Sequence, residues 1–388
     1  MKIAIDGYEA NVKQRLGSSQ VAFELLKNLE QIDRVNEYTI LLPSPPLEDL
    51  PEARTGFKYK VLKPKRLWTQ IALPLYLYTS KTKPDLFFSP THYLPRFAPS
   101  KVKKVVTIFD LSFLHFPEMF IKDDLWKLRN WTKLSIKTAD RIITISNFSK
   151  QDIIEQYGID ESKITVAYPG YDEDKFKVQS SRLARFAKRA SRAKRAKFKV
   201  EEAKRKYKSG DNYIIYIGTL QPRKNLLRLI NVVAKIEGLN LVVVGKSSGE
   251  GREGWMYKDI LEQPKLLGIE DRVIFTGFVE VEELQLLLSG SLALIQPSLW
   301  EGFGIPVVEA MACGVSVLAS DVSSLPEVIG EAGLLFDPYS EDQMEQAIRL
   351  IANDKKLRLR LAKLGTKQAE KFSYEKMART VLKVFEAL

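Results

Sequence analysis

Leu294–Ser320 reads LIQPSLWEGFGIPVVEAMACGVSVLAS, and its rhythm decides the fold. Leu292–Gln296 is a continuous apolar run without alternation, which predicts a short strand buried on both faces. Pro297–Gly304 follows as a loop with two glycines around an aromatic. Pro306 stands where a first helical turn begins, Val307–Cys313 reads as that helix, and Gly314 ends it. A second buried strand is predicted over Val315–Ala319. In such a unit the loop amides and the positive end of the helix dipole face one point, a site suited to an anion such as a diphosphate. Gly302 and Gly304 lack a Cβ, so an anion can approach their amides closely.

Two carboxylates frame this loop. Glu301 lies at its start, and Glu309 follows eight residues later, about one turn into the helix. A carboxylate beside a phosphate site accepts hydrogen bonds from neutral hydroxyls. A nucleoside diphosphate sugar offers two sets of these, the ribose diol and the hexose hydroxyls. The alternative is an ordinary helix start, where the dipole also favours acidic side chains.

The stretch S-x-W-E-G-F-G-I-P-V-V-E-A-M-A-C-G-V-S-V resembles the E-x(7)-E motif of retaining glycosyltransferases of family 4. The resemblance extends to both ends of the chain. It implies an α/β GT-B fold, two Rossmann-like domains facing each other across a cleft. It also implies roles: Glu309 holds the donor ribose, while Glu301 and the loop Gly302, Phe303, Gly304 and Ile305 contact the donor sugar and diphosphate. The reaction implied is transfer of a hexose from a nucleotide donor with retention. The mannosyltransferase type is favoured, with GDP-mannose as donor and a growing surface glycan or lipid-linked sugar as acceptor. The base and sugar rest on the resemblance alone, so a UDP-sugar transferase is the rival within enzymes. An inactive carbohydrate- or membrane-binding relative is the rival outside them. No cofactor or metal is expected.

Composition bounds the class. A chain of 388 residues with 45% hydrophobic and 28% charged residues reads as a soluble protein of more than one domain. The single cysteine, Cys313, excludes an internal disulfide and fits a reducing, cytoplasmic setting. It reads as a packing residue. Two histidines, His92 and His115, make a histidine-rich metal site implausible. MKIAIDGYEA has no apolar core long enough for a signal peptide, so none is expected, and Leu67–Tyr78, broken by Pro74, is too short to span a bilayer.

Taken in order, Lys2–Asp6, Tyr38–Leu42, Leu86–Ser89, Val105–Phe109, Arg141–Ser146 and Ile164–Ala167 read as buried strands. Helices are predicted from Ser18 and over Trp68–Ser80, Lys122–Thr138 and Asn147–Tyr157. This alternation argues a parallel sheet with ligands beyond the strand carboxyl ends. Gly17 falls where the family places a glycine loop over the donor phosphates, although a simple turn before a capped helix fits equally. SPTHYLP and TIFDLSFLHFPE resemble the mannosyltransferase type, which commonly has His-Asp in the second segment. Here it is Phe109-Asp110. Asp110 is carried over as catalytic, and His92 and Phe109 are placed near the acceptor or sugar. His115 is read as packing at its loop. Asp172-Glu173-Asp174 mimics a D-x-D metal motif but follows a Pro-Gly turn in the expected hinge, with no further carboxylate cluster.

The second half repeats the pattern. Strand Tyr213–Ile217 leads into Gly218-Thr219-Leu220-Gln221-Pro222-Arg223-Lys224-Asn225, which resembles the family's G-T-L-x-P-R-K-N motif. Arg223 and Lys224 would neutralise the diphosphate. Such fixed cations stabilise charge growing on a leaving group, whereas a solvated basic turn would do nothing of the kind. Strands are predicted over Leu239–Gly245, Arg272–Gly277 and Gly333–Phe336. Gly245 and Val279 fall in the region the family packs near the donor base. The expected division is 1–172 for an acceptor domain, 209–372 for a donor domain, and 373–388 for a final helix returning to the first domain.

Between them Lys177–Lys208 carries fourteen Lys or Arg and two Glu, a net of +12 that equals the net charge of the whole chain. Family members have a shorter, less charged connection here. Leu183, Phe186, Ala187, Ala190 and Ala193 share one helical face. The favoured reading is a basic helix on an anionic membrane surface, giving a peripheral location on its inner face. A solvated linker ranks next and nucleic acid last, because two phenylalanines are too few to stack bases.

Overall fold

The computed structural model describes residues 1–173, 175–176, 190–245 and 257–388, with the backbone alone for 190–197. The chain forms two compact units, Met1–Gly170 with Ser373–Leu388, and Tyr171–Phe372. Both are wholly parallel sheets flanked by helices, so the α/β class read from the sequence holds.

In the first unit the strands are β1 (Lys2–Asp6), β2 (Glu37–Leu42), β3 (Phe57–Val61), β4 (Leu86–Ser89), β5 (Lys103–Ile108), β6 (Arg141–Thr144) and β7 (Ile164–Val166). Their order is β3-β2-β1-β4-β5-β6-β7, which reverses direction between β1 and β4. β5 ends at Ile108, so Phe109 starts the following loop and does not close the strand. β3 is an edge strand whose lysines face water, and its FKYKV pattern lacks the apolar run of the others.

The second unit contains β8 (Tyr213–Ile217), β9 (Asn240–Val244), β10 (Val273–Gly277), β11 (Ala293–Gln296), β12 (Val317–Ser320) and β13 (Gly333–Phe336). The order is β10-β9-β8-β11-β12-β13, with the switch between β8 and β11. The helix after β11 spans Ile305–Ala312, two residues earlier than its apolar pattern suggested. Gly304 precedes it at φ +98°, a conformation that glycine adopts without strain. Gly245 is required for another reason: a Cβ there would lie 1.9 Å from the carbonyl oxygen of Gly218. The ends of β8 and β9 are thus pressed together where the Gly218 loop departs.

Ala190–Tyr207 is helical, and its described C-terminal part docks inside the second unit. Ala203 is buried, Lys204 bonds Glu201 at 3.1 Å and Asp211 at 3.2 Å, and both Lys206 and Tyr207 bond Glu283. The end of the basic stretch is therefore fixed structure and no free linker. Residues 177–189, together with Asp174 and Lys246, lie outside the described residues.

The last helix, Tyr374–Glu386, belongs to the first unit. Its apolar face buries Met377, Ala378, Val381 and Phe385, and Phe385 meets the edge of Phe88 at 5.2 Å. Gly170 makes room for the start of this helix, since a Cβ there would fall 2.2 Å from the Tyr374 nitrogen. Gly170→Ala is expected to loosen the final helix. Limited proteolysis should then cut near Ser373 well before the wild-type chain is cut. Gly158→Ala is the control, because its Cβ would meet nothing within 4 Å and leaves only the strain of φ +61°, roughly 1–2 kcal/mol.

Candidate functional site

In an open parallel sheet the crevice for ligands opens beyond the strand carboxyl ends where the order reverses. In the second unit this lies between β8 and β11, paired through Ala293 to Ile214 and Leu294 to Ile215. The loops leaving these two strands are Gly218–Asn225 and Pro297–Gly304. They are stitched together: the Leu299 amide donates to the Arg223 carbonyl at 2.8 Å, and Arg223 Nη1 donates to the Trp300 carbonyl at 3.1 Å. Asn225, left-handed at φ +62°, donates from its side chain to the carbonyls of Pro297 at 3.0 Å and Pro338 at 2.8 Å.

Glu301 sits at the centre of this join. Its Oε1 accepts from Lys224 Nζ at 2.5 Å, Gln296 Nε2 at 2.7 Å and Ser298 Oγ at 2.8 Å. Arg223 Nη1 lies 3.9 Å from Oε2. The Glu301 amide donates to Ser323 Oγ and its carbonyl accepts from Ser324 Oγ, so the whole residue is held. Burial pushes the carboxyl pKa up, but Lys224, Arg223 and the hydrogen bonds outweigh it and hold the group below its ordinary value. Two cations surround one carboxylate, which leaves one positive charge in excess. The N-terminus of the helix Ile305–Ala312 adds its dipole to that charge.

Glu309 lies in the second turn of the same helix and meets the opposite environment. Burial, then the neighbouring Asp172, push its carboxyl up to about 8, with Lys175 opposing. Asp172 and Lys175 form an ion pair at 3.0 Å, and Lys175's carbonyl accepts from Gln285. Cys313 is buried below, its thiol pushed up to about 12 by burial and then by Glu309, so it stays protonated at neutral pH.

The structure brings Gly218, Arg223, Lys224, Gly245, Glu301, Gly302, Gly304 and Ile305 to this carboxyl edge. It does not bring every predicted side chain to a ligand-facing position. Phe303 is buried and packs edge-on against Phe372 at 5.3 Å, so its ring belongs to the core. Val279 is buried too, whereas its neighbour Phe278 is exposed. Apolar residues in a loop read alike whether they face a ligand or the interior.

In the first unit, Gly17 caps the helix Ser18–Ile32 at φ +54°, beside Arg15, which is clamped on Asp49 and over Phe23. Asp110 accepts from the Ser112 amide at 2.9 Å. Phe109 stacks on His92, with centroids 5.8 Å apart, and donates its amide to His92 Nε2 at 3.4 Å. That bond assigns the ring proton to Nδ1, a buried atom with no partner among the described residues. Burial lowers the His92 pKa, partly offset by Asp110, so the ring is neutral. His115 does more than pack: its Nε2 lies 2.8 Å from the buried Asp152.

Asp6, at the end of β1, is more than the strand end its sequence predicts. It is buried, accepts from Trp68 Nε1 at 2.9 Å and the Tyr8 amide at 3.0 Å, and burial raises it to about 6. A lone carboxylate closing an apolar strand was the available signal.

Comparisons with known proteins relate both halves of the chain to known families. Residues 17–175 match the model "Glycosyltransferase Family 4", and residues 197–368 match "Glycosyl transferases group 1". Escherichia coli O-antigen chain mannosyltransferase B is 29% identical over 85% of this chain and 79% of its own. Salmonella typhimurium O-antigen chain mannosyltransferase RfbU is 28% identical over 64% of this chain and 60% of its own. Among solved structures, sucrose-phosphate synthase from Thermosynechococcus elongatus aligns with a TM-score of 0.77 at 18% identity, covering 100% of this chain and 98% of that one. Anabaena HepE in complex with UDP and glucose aligns at 0.74 and 20% identity, over 100% of both chains. These two carry the fold, which is GT-B.

The raised Glu309 carboxyl has a measurable consequence. The folded state holds this proton more tightly than the unfolded chain, whose ordinary value is 4.5, so stability falls as pH rises from there to about 8 and then levels. Glu309→Gln should remove that slope. Thermal melts from pH 5 to 9 should show the variant gaining on the wild type as pH increases, and a gap independent of pH would contradict the assignment.

Proposed function

Because this chain belongs to the glycosyltransferases that join a Family 4 first half to a group 1 second half, we propose that it transfers mannose from GDP-mannose, with retention, to a glycan or lipid-linked acceptor of a surface polysaccharide. The observation that carries the reading is the Arg223, Lys224 and Glu301 cluster at the switch point of the second sheet. Transfer breaks the bond from the sugar's anomeric carbon to the diphosphate, and the electron pair leaves with the diphosphate. The growing negative charge is met by two cations already fixed in place, with no reorganisation at the moment of reaction. The mannosyl choice is supported by the names of two O-antigen relatives. A UDP-sugar donor is the second reading, supported by the UDP-bound neighbour.

In this reading Glu301 acts as the positioning group for the cations, and Glu309 is the partner of the ribose diol. The Gly302 and Gly304 amides and the start of the helix at Ile305 serve the diphosphate, and Gly218, Gly245 and the Val279 backbone the nucleoside side. Gly17 serves the loop near the donor phosphates. Asp110, His92 and Phe109 serve the sugar or acceptor. No metal or cofactor is assigned a step. Lys177–Lys208 is proposed to hold the enzyme on the inner face of an anionic membrane, with nucleic acid the least favoured partner.

Arg223→Ala is the cleanest test of the cluster, because Arg223 is only 3.9 Å from Glu301 and its loss leaves the Lys224 pair intact. It should lower kcat by about 10²–10³-fold, and unchanged turnover would reject the diphosphate assignment. A thermal-shift comparison of GDP-mannose with UDP-glucose decides the base: a donor at a hundred times its Kd adds about 2.7 kcal/mol.

Phe109→His tests whether the chain is an active enzyme. Sugar release from the donor should already be measurable in the wild-type protein. An inert wild type that gains activity only as the His variant would show a degenerate site.

A further inference from the structure

Trp68–Thr79 forms one continuous helical segment, a π-turn over Trp68–Ala72 running into an α-helix over Leu73–Thr79. Pro74 does not interrupt it. Leu73 bonds back to Trp68 in the wider π register, and Pro74 falls in the first turn of the α-helix, where a missing N–H costs little. One face is buried through Trp68, Ala72, Leu73, Tyr76 and Leu77. The opposite face would ordinarily be polar in a surface helix. Here it is apolar: Leu67 is 52% exposed, Ile71 42%, Leu75 53% and Tyr78 54%. Their spacing of four, four and three residues makes a single stripe.

Along the sequence the charge flanking this stripe has one sign, and the nearest acidic residues, Glu37 beside Lys58 and Asp85 after Lys83, lie at its margin. Lys58 to Lys83 contains seven Lys or Arg and no Asp or Glu. Lys58, Lys60, Lys63, Lys65 and Arg66 precede the segment, Lys81 and Lys83 follow it, and all seven are exposed. Twelve helical residues extend about 18 Å, too short for a hydrocarbon core of about 30 Å and suited to lying in the plane of an interface.

We propose that the Leu67–Tyr78 face is a docking surface for an anionic lipid bilayer, with the four apolar side chains entering the headgroup boundary and the flanking cations contacting lipid phosphates. A second copy of the chain is a poor occupant, because it would set seven cations against seven. A protein partner would need a matching acidic rim around an apolar groove, whereas an anionic bilayer supplies both features over any area. This surface lies in the first unit and is independent of Lys177–Lys208, so it stands whether or not that stretch meets a membrane.

The test reads the face itself. In the full chain with Cys313→Ala, Ile71→Cys or Leu75→Cys carries an environment-sensitive fluorophore, and Leu359→Cys, on an exposed leucine of the second unit, serves as control. With phosphatidylglycerol vesicles at low salt, the labels at 71 and 75 should brighten and shift to the blue, and the control should not. Phosphatidylcholine vesicles should leave all three unchanged. Lys63→Glu with Lys65→Glu and Arg66→Glu should weaken vesicle binding by roughly 100-fold or more, since each cation near an anionic surface contributes about fivefold. Cosedimentation with the anionic vesicles without any change at 71 and 75 would place the lipid contact elsewhere and overturn the proposal. So would an absence of binding at low salt, or a spectral change that follows protein concentration without vesicles, which would mark self-association.

Discussion

A buried carboxylate holds the second unit's site together. Taking Glu301 and Lys224 out of water costs several kcal/mol for each ion, and a pair of this kind is poor evidence for stability by itself. Its value lies in where it puts charge. Gln296 and Ser298, on the strand and loop that carry Glu301, turn its Oε1 toward the other loop, and Lys224 closes the link. Two loops separated by about seventy residues of sequence become one rigid surface. Arg223 then sits beside a carboxylate it only partly satisfies, with its guanidinium near the edge. A site for a developing anion needs this kind of arrangement, cations fixed before the charge arrives.

Glu301 and Glu309 show how far environment outweighs residue type. The sequence offers two glutamates eight residues apart, with nothing to separate their chemistry. In the structure one faces two cations and is held ionised, while the other is buried near Asp172 and retains its proton to about 8. Each is set by residues distant in the chain: Lys224 lies 77 positions from Glu301, and Asp172 precedes Glu309 by more than a hundred. Neither partner could be chosen from spacing.

The same division explains what was legible. Parallel strands covered on both faces must be nearly all apolar, so Ile3–Ile5, Phe87, Phe88 and Leu241–Val244 announced themselves. β3 did not, because an edge strand is half solvated. The glycine loops were visible since few residues fit their backbone. The Phe303 ring was not legible, because an aromatic between two glycines looks the same whether it faces a ligand or packs on Phe372. The His92 and Phe109 stack, the His115 and Asp152 pair, and the Trp68 bond to Asp6 join residues 17, 37 and 62 positions apart, and only the fold brings them together.

Charge adds a last constraint. The net +12 is matched by Lys177–Lys208 alone, which suggests a neutral remainder. That remainder is not uniform: Lys58–Lys83 holds seven cations and no acidic residue of its own, so the chain outside both segments carries seven negative charges in excess. Exposed charges more than about 10 Å apart are largely screened at ordinary salt, so the balance of the whole chain does not cancel a local concentration. What a neighbouring surface meets at the Leu67–Tyr78 face is the local sign. The same reasoning applies inside the second unit, where one excess charge among Arg223, Lys224 and Glu301 acts at close range and little screened. Net charge therefore describes neither place, and the positions of the partners describe both.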